Sequence, residues 1–170
     1  MPPIAKKIPH IHSKHNHQRQ DDYYWLRDRE NPEVIAYLEA ENVYTKEVMA
    51  HTEKLQNELF EEMKGRIKQD DSSVPYKLDD YYYYSRYETG KEYPIYCRKK
   101  ESLKGEEEIY LDVNQLAEGQ SFCQVGGLTV SRNHRYLAYG VDFIGRRIYQ
   151  VNIKDLQTGE ILSEKIDHAT

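Results

Sequence analysis

Asp79-Asp80-Tyr81-Tyr82-Tyr83-Tyr84-Ser85-Arg86-Tyr87-Glu88-Thr89-Gly90-Lys91-Glu92-Tyr93-Pro94-Ile95-Tyr96-Cys97-Arg98-Lys99 reads as a complete β-hairpin. The tyrosines are strand formers, Thr89-Gly90-Lys91 supplies a turn, and Tyr93, Ile95 and Tyr96 open the return strand. The pattern recurs further along. With Gly90 set over Gly145, an offset of 55 residues, Tyr81 falls on Tyr136, Tyr82 on Leu137, Tyr84 on Tyr139, Tyr93 on Ile148 and Ile95 on Gln150. All but the Ile95 pair keep an apolar or aromatic character. A repeat of roughly 50 residues built from strands and tight turns is the spacing of β-propeller blades of about four strands each.

Working outward, the first blade is predicted to use residues 74–78, 81–88, 93–98 and 108–113, with the charged 99–107 as an exposed loop. The second blade is predicted to use 124–130, 136–143, 148–154 and 160–165. Between them, Asn114-Gln115-Leu116-Ala117-Glu118-Gly119 has the pattern of one helical turn ended by glycine. The polar run Lys68-Gln69-Asp70-Asp71-Ser72-Ser73 marks the main boundary, with β structure beginning at Val74.

Upstream of that boundary the chain is helical. Asn31-Pro32-Glu33 combines an N-cap, a proline suited to the first turn and an acid that favours the positive helix end. Apolar residues then recur at Val34, Leu38, Tyr44, Val48, Leu55, Leu59 and Met63, close to a 3.6-residue period. From Pro32 to Lys64 a continuous helix would span about 50 Å. Glu41 and His51 or Thr52 interrupt the stripe, so the segment is one long helix or a helix pair. The dense aromatic run Tyr23-Tyr24-Trp25 calls for a surface to pack on, another domain or the propeller rim. Residues 1–20 are polar, carry Pro2, Pro3 and Pro9, and show no helical or strand period, which predicts an extended arm. The organisation is therefore an arm at 1–20, a helical segment at 21–68 and a partial propeller at 74–170, an α+β arrangement.

Composition excludes several functions. The net charge of -5 gives no basic face for nucleic acid. No apolar run approaches the ~18 residues of a membrane span, and the polar start lacks the apolar core of a secretory signal, so a cytoplasmic protein is expected. Cys97 and Cys123 lack any metal or redox spacing and are expected as reduced, packed thiols. His10, His12, His15 and His17 raise the question of metal binding, because alternate residues of an extended segment share a face. No carboxylate or thiol in the arm fixes a geometry, and solvated histidines are the simpler expectation.

Catalytic motifs are not found. The nearest approach to a serine-nucleophile elbow is Gly119-Gln120-Ser121-Phe122-Cys123, which lacks the second glycine and the following helix. No phosphate loop, dinucleotide fingerprint or His-Glu-x-x-His motif occurs. Asp70-Asp71, Asp79-Asp80 and Glu106-Glu107-Glu108 fall in loops or turns, where a solvated face is the simplest reading and attraction of basic peptides a secondary one.

Three stretches carry a resemblance: Asp21-Asp22-Tyr23-Tyr24-Trp25-Leu26-Arg27-Asp28, residues 31–42, and Gly90-Lys91-Glu92-Tyr93-Pro94-Ile95-Tyr96-Cys97-Arg98. They resemble the N-terminal part of the oligopeptidase B, or protease II, branch of the prolyl oligopeptidase family of serine peptidases. Residues 131–140 and 151–162 resemble its propeller strands. The resemblance implies a helical segment followed by a seven-bladed propeller that caps an α/β-hydrolase domain with a Ser-Asp-His triad. It implies cleavage of short peptides after Lys or Arg, with the propeller restricting access and with no metal or organic cofactor.

Family members are several-fold longer, and the triad and the pocket for the basic residue match nothing in residues 1–170. No catalytic, cofactor or metal residue is therefore assigned, and the chain alone is expected to be inactive. Its expected partners are the remaining blades and catalytic domain of the same protein and, through the complete enzyme, short basic peptides. One local departure is Arg132-Asn133-His134, where the family usually has Pro-Asp-Gly; Asn and His tolerate a left-handed backbone, so the hairpin should survive. The alternative is a free-standing binding protein made of a long helix and a β-meander.

Overall fold

The computed structural model describes residues 1–170, which divide into two units, Met1–Ile67 and Lys68–Thr170. In the first, strands β1 (His10–Lys14) and β2 (His17–Asp21) pair antiparallel from His10↔Asp21 to Lys14↔His17. This corrects the expectation of an arm without regular structure. The two-residue turn is His15-Asn16, both left-handed at φ 51 and 62, the conformation of a type I′ hairpin turn. Polar residues on both faces conceal the strand period, and His-Asn replaces the glycine-containing signals usually read as such a turn.

A short 3₁₀ turn at Tyr24–Arg27 leads to helix α1 (Pro32–Met49). Asn31 caps it, its Oδ1 accepting from the Glu33 N–H at 2.9 Å. A 3₁₀ turn at Ala50–Thr52 then separates α1 from α2 (Glu53–Gly65). The break falls at His51-Thr52, where Thr52 Oγ1 donates to the Met49 carbonyl at 2.7 Å. Only Val34 is buried along the two helices, and Leu38, Val48, Leu55, Leu59 and Met63 of the apolar stripe are exposed. No helix is long and apolar enough to cross a membrane.

The second unit holds two four-stranded antiparallel sheets. The first is a meander of β3 (Tyr76–Leu78), β4 (Tyr81–Arg86), β5 (Ile95–Lys100) and β6 (Glu107–Asp112) in that order. Helix α3 (Val113–Leu116) follows, and Gly119 at φ 74 closes the turn. The second sheet is β7 (Gln124–Val130), β8 (Tyr136–Asp142), β9 (Tyr149–Asp155) and β10 (Ile161–Ala169), again in sequence order. The two-blade reading holds, with the third strand of each blade starting slightly later than expected.

The 55-residue repeat is a repeat of register. Tyr81↔Lys100 and Tyr84↔Cys97 in the first hairpin correspond to Tyr136↔Asp155 and Tyr139↔Asn152 in the second. Gly90 and Gly145 take φ 81 and 79 in equivalent turns, a conformation that costs a side chain strain. Ile95 and Gln150 are equivalent yet differ: Ile95 is buried, whereas Gln150 Nε2 donates to Asp167 of β10 at 2.8 Å.

Strand alternation decides how the sheets stack. Tyr83, Arg98 and Tyr110 share one face of the first sheet, and Leu137, Tyr139 and Val141 share one face of the second; the apolar members of both rows join a single core. Tyr83 corresponds in the repeat to Ala138, which lies on the far face of the second sheet. The contact is therefore head-to-tail, each sheet offering a different face to its neighbour, and both far faces remain available for further sheets. Tyr83, Leu137 and Tyr139 are each at most 2% exposed. Burying side chains of this size contributes about 1.5–3 kcal/mol apiece, so the seam, and not either sheet alone, is the core of this unit.

Candidate functional site at the seam between the two sheets

The most developed cluster of polar side chains in the molecule crosses this seam. Arg98 on β5 is 4% exposed, and a guanidinium taken out of water needs its donors filled. Opposite it in the ladder stands Glu108 of β6, whose two oxygens accept from Arg98 Nε at 2.8 Å and Nη2 at 2.6 Å. Nη1 crosses to the second sheet and donates to the His134 carbonyl at 2.7 Å. The plane lies over the Tyr81 ring, 4.5 Å from its centroid. Burial pulls the Arg98 pKa down, but Glu108 and the Tyr83 hydroxyl outweigh it and hold the group above its ordinary value.

His134 completes the crossing. It occupies the left-handed turn before β8 at φ 57, and Asp79 occupies the equivalent turn before β4 at φ 50. The backbone tolerance expected at the Arg132-Asn133-His134 departure is realised there. His134 Nε2 lies 3.1 Å from Asp79 Oδ2, and Nδ1 lies 2.8 Å from the Tyr83 hydroxyl. A carboxylate has no proton to give, so Nε2–H donates to Asp79, and the Tyr83 O–H donates to Nδ1. Burial raises the Tyr83 pKa, with Arg98 opposing, so Tyr83 remains a phenol and a donor. A second crossing joins Lys154 Nζ of β9 to the Tyr110 carbonyl of β6 at 3.1 Å; burial lowers the Lys154 pKa, with Glu108 opposing.

Along the β3 and β7 side the seam is not filled. A cavity of about 350 Å³ is lined by residues that include Tyr76, Tyr84, Ser85, Tyr96, Tyr110 and Leu128. On the first sheet's far face, Arg86 donates to Glu107 at 2.9 Å and to Glu88 at 2.6 Å, and Tyr84 donates to Glu107. Cys97 is fully buried and its thiol is pushed up to about 11, first by burial and then by Glu107. Cys123 is also buried and is likewise raised by burial, and both cysteines are free. In the second sheet Asp142 accepts from the Ile144, Gly145 and Arg147 N–H groups at 2.7, 3.0 and 2.7 Å. Burial pushes its pKa up, but these donors outweigh that and hold it below the usual carboxylate value.

The other residues singled out in the sequence are dispersed. Ser121 lies in the irregular stretch between α3 and β7. His10 and His12 do share a face, their rings 4.7 Å apart, and both pack on Tyr24, whose ring stacks on His10 at 3.9 Å. Part of the Tyr23-Tyr24-Trp25 patch is thus used inside the first unit, where Trp25 Nε1–H also donates to the Lys6 carbonyl at 2.8 Å. His12 Nε2 is 3.5 Å from Asp21 Oδ2 without hydrogen-bond geometry, leaving that ring nitrogen unpartnered. His15 is in the turn and His17 on β2, and no three His, Cys, Asp or Glu side chains gather as a metal site.

Nothing at the seam resembles a reacting centre. Tyr83 is 1% exposed and the His134 side chain 11%, so only the Asp79 end of the Asp79-His134-Tyr83 chain reaches solvent, and its geometry fits a tie between sheets. The family described as "Prolyl oligopeptidase, N-terminal beta-propeller domain" matches residues 2–170. The chain belongs to this family. Among its relatives, "Dipeptidyl aminopeptidase BI" of Pseudoxanthomonas mexicana is 43% identical over 186 residues, covering 99% of this chain and 26% of that protein. "Protease 2" of Moraxella lacunata is 41% identical over 169 residues, covering 96% of this chain and 24% of that protein. The solved oligopeptidase B of Leishmania major superposes with a TM-score of 0.88 at 33% identity, over 98% of this chain and 26% of that one. The chain thus spans about a quarter of the curated relatives it matches. Within the family it corresponds to the helical segment and two blades of the propeller.

Proposed function

We propose that this chain is the helical segment and two propeller blades of a serine oligopeptidase that cleaves short peptides after Lys or Arg. The propeller acts as the size gate, and residues 1–170 carry no catalytic group of their own. The observation that carries the reading is the match over residues 2–170, together with relatives above 40% identity that are named as peptidases. Its partners are the other blades and the hydrolase domain of the same enzyme, and the setting is the cytoplasm. The exposed stripe on α1 and α2 and the two far faces of the sheets support a role inside a larger body, since apolar surface of that extent needs cover.

The test is a chimera in which residues 1–170 replace the matching segment of the Moraxella lacunata relative. The chimera is expected to hydrolyse a short Arg-containing fluorogenic peptide and to spare a folded protein substrate. A folded chimera that cleaves neither, or that cleaves only after residues other than Lys and Arg, contradicts the proposal.

A further inference from the structure

We infer that Arg98, Tyr83, His134 and Asp79, with Lys154, form a staple that makes the two sheets move as one rigid body. In a closed ring of blades, the opening that admits a peptide then occurs at another seam. That last consequence rests on the gating role proposed above; the staple itself does not.

Three features carry the inference. The crossing is continuous and directional, from Arg98 Nη1 to the His134 carbonyl, from the Tyr83 hydroxyl to His134 Nδ1, and from Nε2 to Asp79. It occupies one place in the repeat, the paired turns at Asp79 and His134, and Lys154 makes a second crossing from β9 to β6. Between the two lie Tyr83, Leu137 and Tyr139, sealed from water. Parting the sheets would therefore break two separate ties and expose the core at once, so partial opening gains nothing.

The staple also cannot be copied around a ring unchanged. A residue at the Asp79 position accepts from the next blade, whereas His134 donates to the preceding one through the same ring that accepts from Tyr83. The repeat places Ala138 where Tyr83 stands, so the second blade cannot offer the same hydroxyl to a third. The tie is therefore not repeated in this form between the second blade and a third.

Native-state hydrogen exchange on the 170-residue chain tests it. Amides of β4 and β5 and amides of β8 and β9 are expected to exchange through one common opening, with the same dependence on denaturant. In the Arg98→Met, His134→Gly double variant the two sheets should separate, β8 and β9 exchanging at least about tenfold faster than β4 and β5. A residue that merely adds stability would speed both sheets equally, and that result overturns the inference. So does a wild-type chain whose sheets already open independently. Should the double variant not fold, Tyr83→Phe, which removes one hydroxyl and keeps the ring, is read by the same criterion. Either overturning result leaves the peptidase reading intact, because the chimera tests that separately.

Discussion

Removing Glu108 should cost more stability than removing Arg98, although Arg98 is the more buried of the two. The Arg98 side chain is 5% exposed and that of Glu108 is 43% exposed. In Arg98→Met the stranded carboxylate turns to water at little cost, and the apolar replacement recovers some packing. The loss is the bond to the His134 carbonyl, the longer one to the Tyr83 hydroxyl and the contact with Tyr81, together about 1–2 kcal/mol. In Glu108→Ala the guanidinium is held in place by Tyr81 and the sheet with its principal counter-charge gone. An uncompensated buried charge of that kind costs about 3 kcal/mol or more.

The double variant should therefore be more stable than Glu108→Ala alone. Urea unfolding followed by circular dichroism reads all three, with unchanged slopes confirming that the same transition is compared. Tryptophan emission is unsuitable, because the sole Trp, Trp25, lies in the first unit. A Glu108→Ala variant as stable as wild type, or an Arg98→Met variant less stable than Glu108→Ala, would refute the view of Arg98 as a buried charge held by its ladder partner.

Further outcomes follow from the same geometry. Gly90→Ala and Gly145→Ala should each cost about 1 kcal/mol by thermal melting, because both turns need positive φ and the only neighbours within reach of a new Cβ, the Phe122 ring atoms beside Gly145, are 3.7 Å away; a neutral result at either site contradicts the equivalence of the turns. Asp142 and Asp155 are held below the ordinary aspartate value of 3.8, the first because backbone N–H groups overcome the upward push of burial and the second chiefly through Arg135. Their contribution is complete above that unfolded value and is lost as pH falls through the lower folded values. Stability should therefore drop below about pH 4, and Asp142→Asn and Asp155→Asn should flatten that drop. Cys97 and Cys123 should resist a thiol reagent at pH 8 in the native chain and both react in denaturant, as counted by intact mass; rapid native labelling of Cys97 would contradict its burial.

How far the sequence reveals this structure depends on what each part uses as its signal. The blades are legible because Tyr81 to Tyr84 and Tyr136 to Tyr139 are strand formers, and because Gly90 and Gly145 mark turns at one offset. The helix break is only half legible: Glu41 interrupts the apolar stripe as His51-Thr52 does, yet only the latter coincides with a break. The β1–β2 hairpin is not, since its strands are polar on both faces and its turn is made by His15 and Asn16.

The seam network is hidden for a different reason. Arg98 and His134 come together only once the two sheets stack head-to-tail, and no local pattern encodes which face meets which. The one clue is His134 at a turn position where a left-handed backbone favours glycine, and that reads as a question of backbone strain until Tyr83 and Asp79 are seen on either side of the ring.

Residues 1–170, as part of a peptidase's propeller, are proposed to carry none of its catalytic machinery. The most direct measurement is cleavage of an Arg-containing fluorogenic peptide by the rigorously purified chain. No turnover above a buffer control is expected. Turnover that co-purifies with the chain and disappears in Ser121→Ala would contradict it.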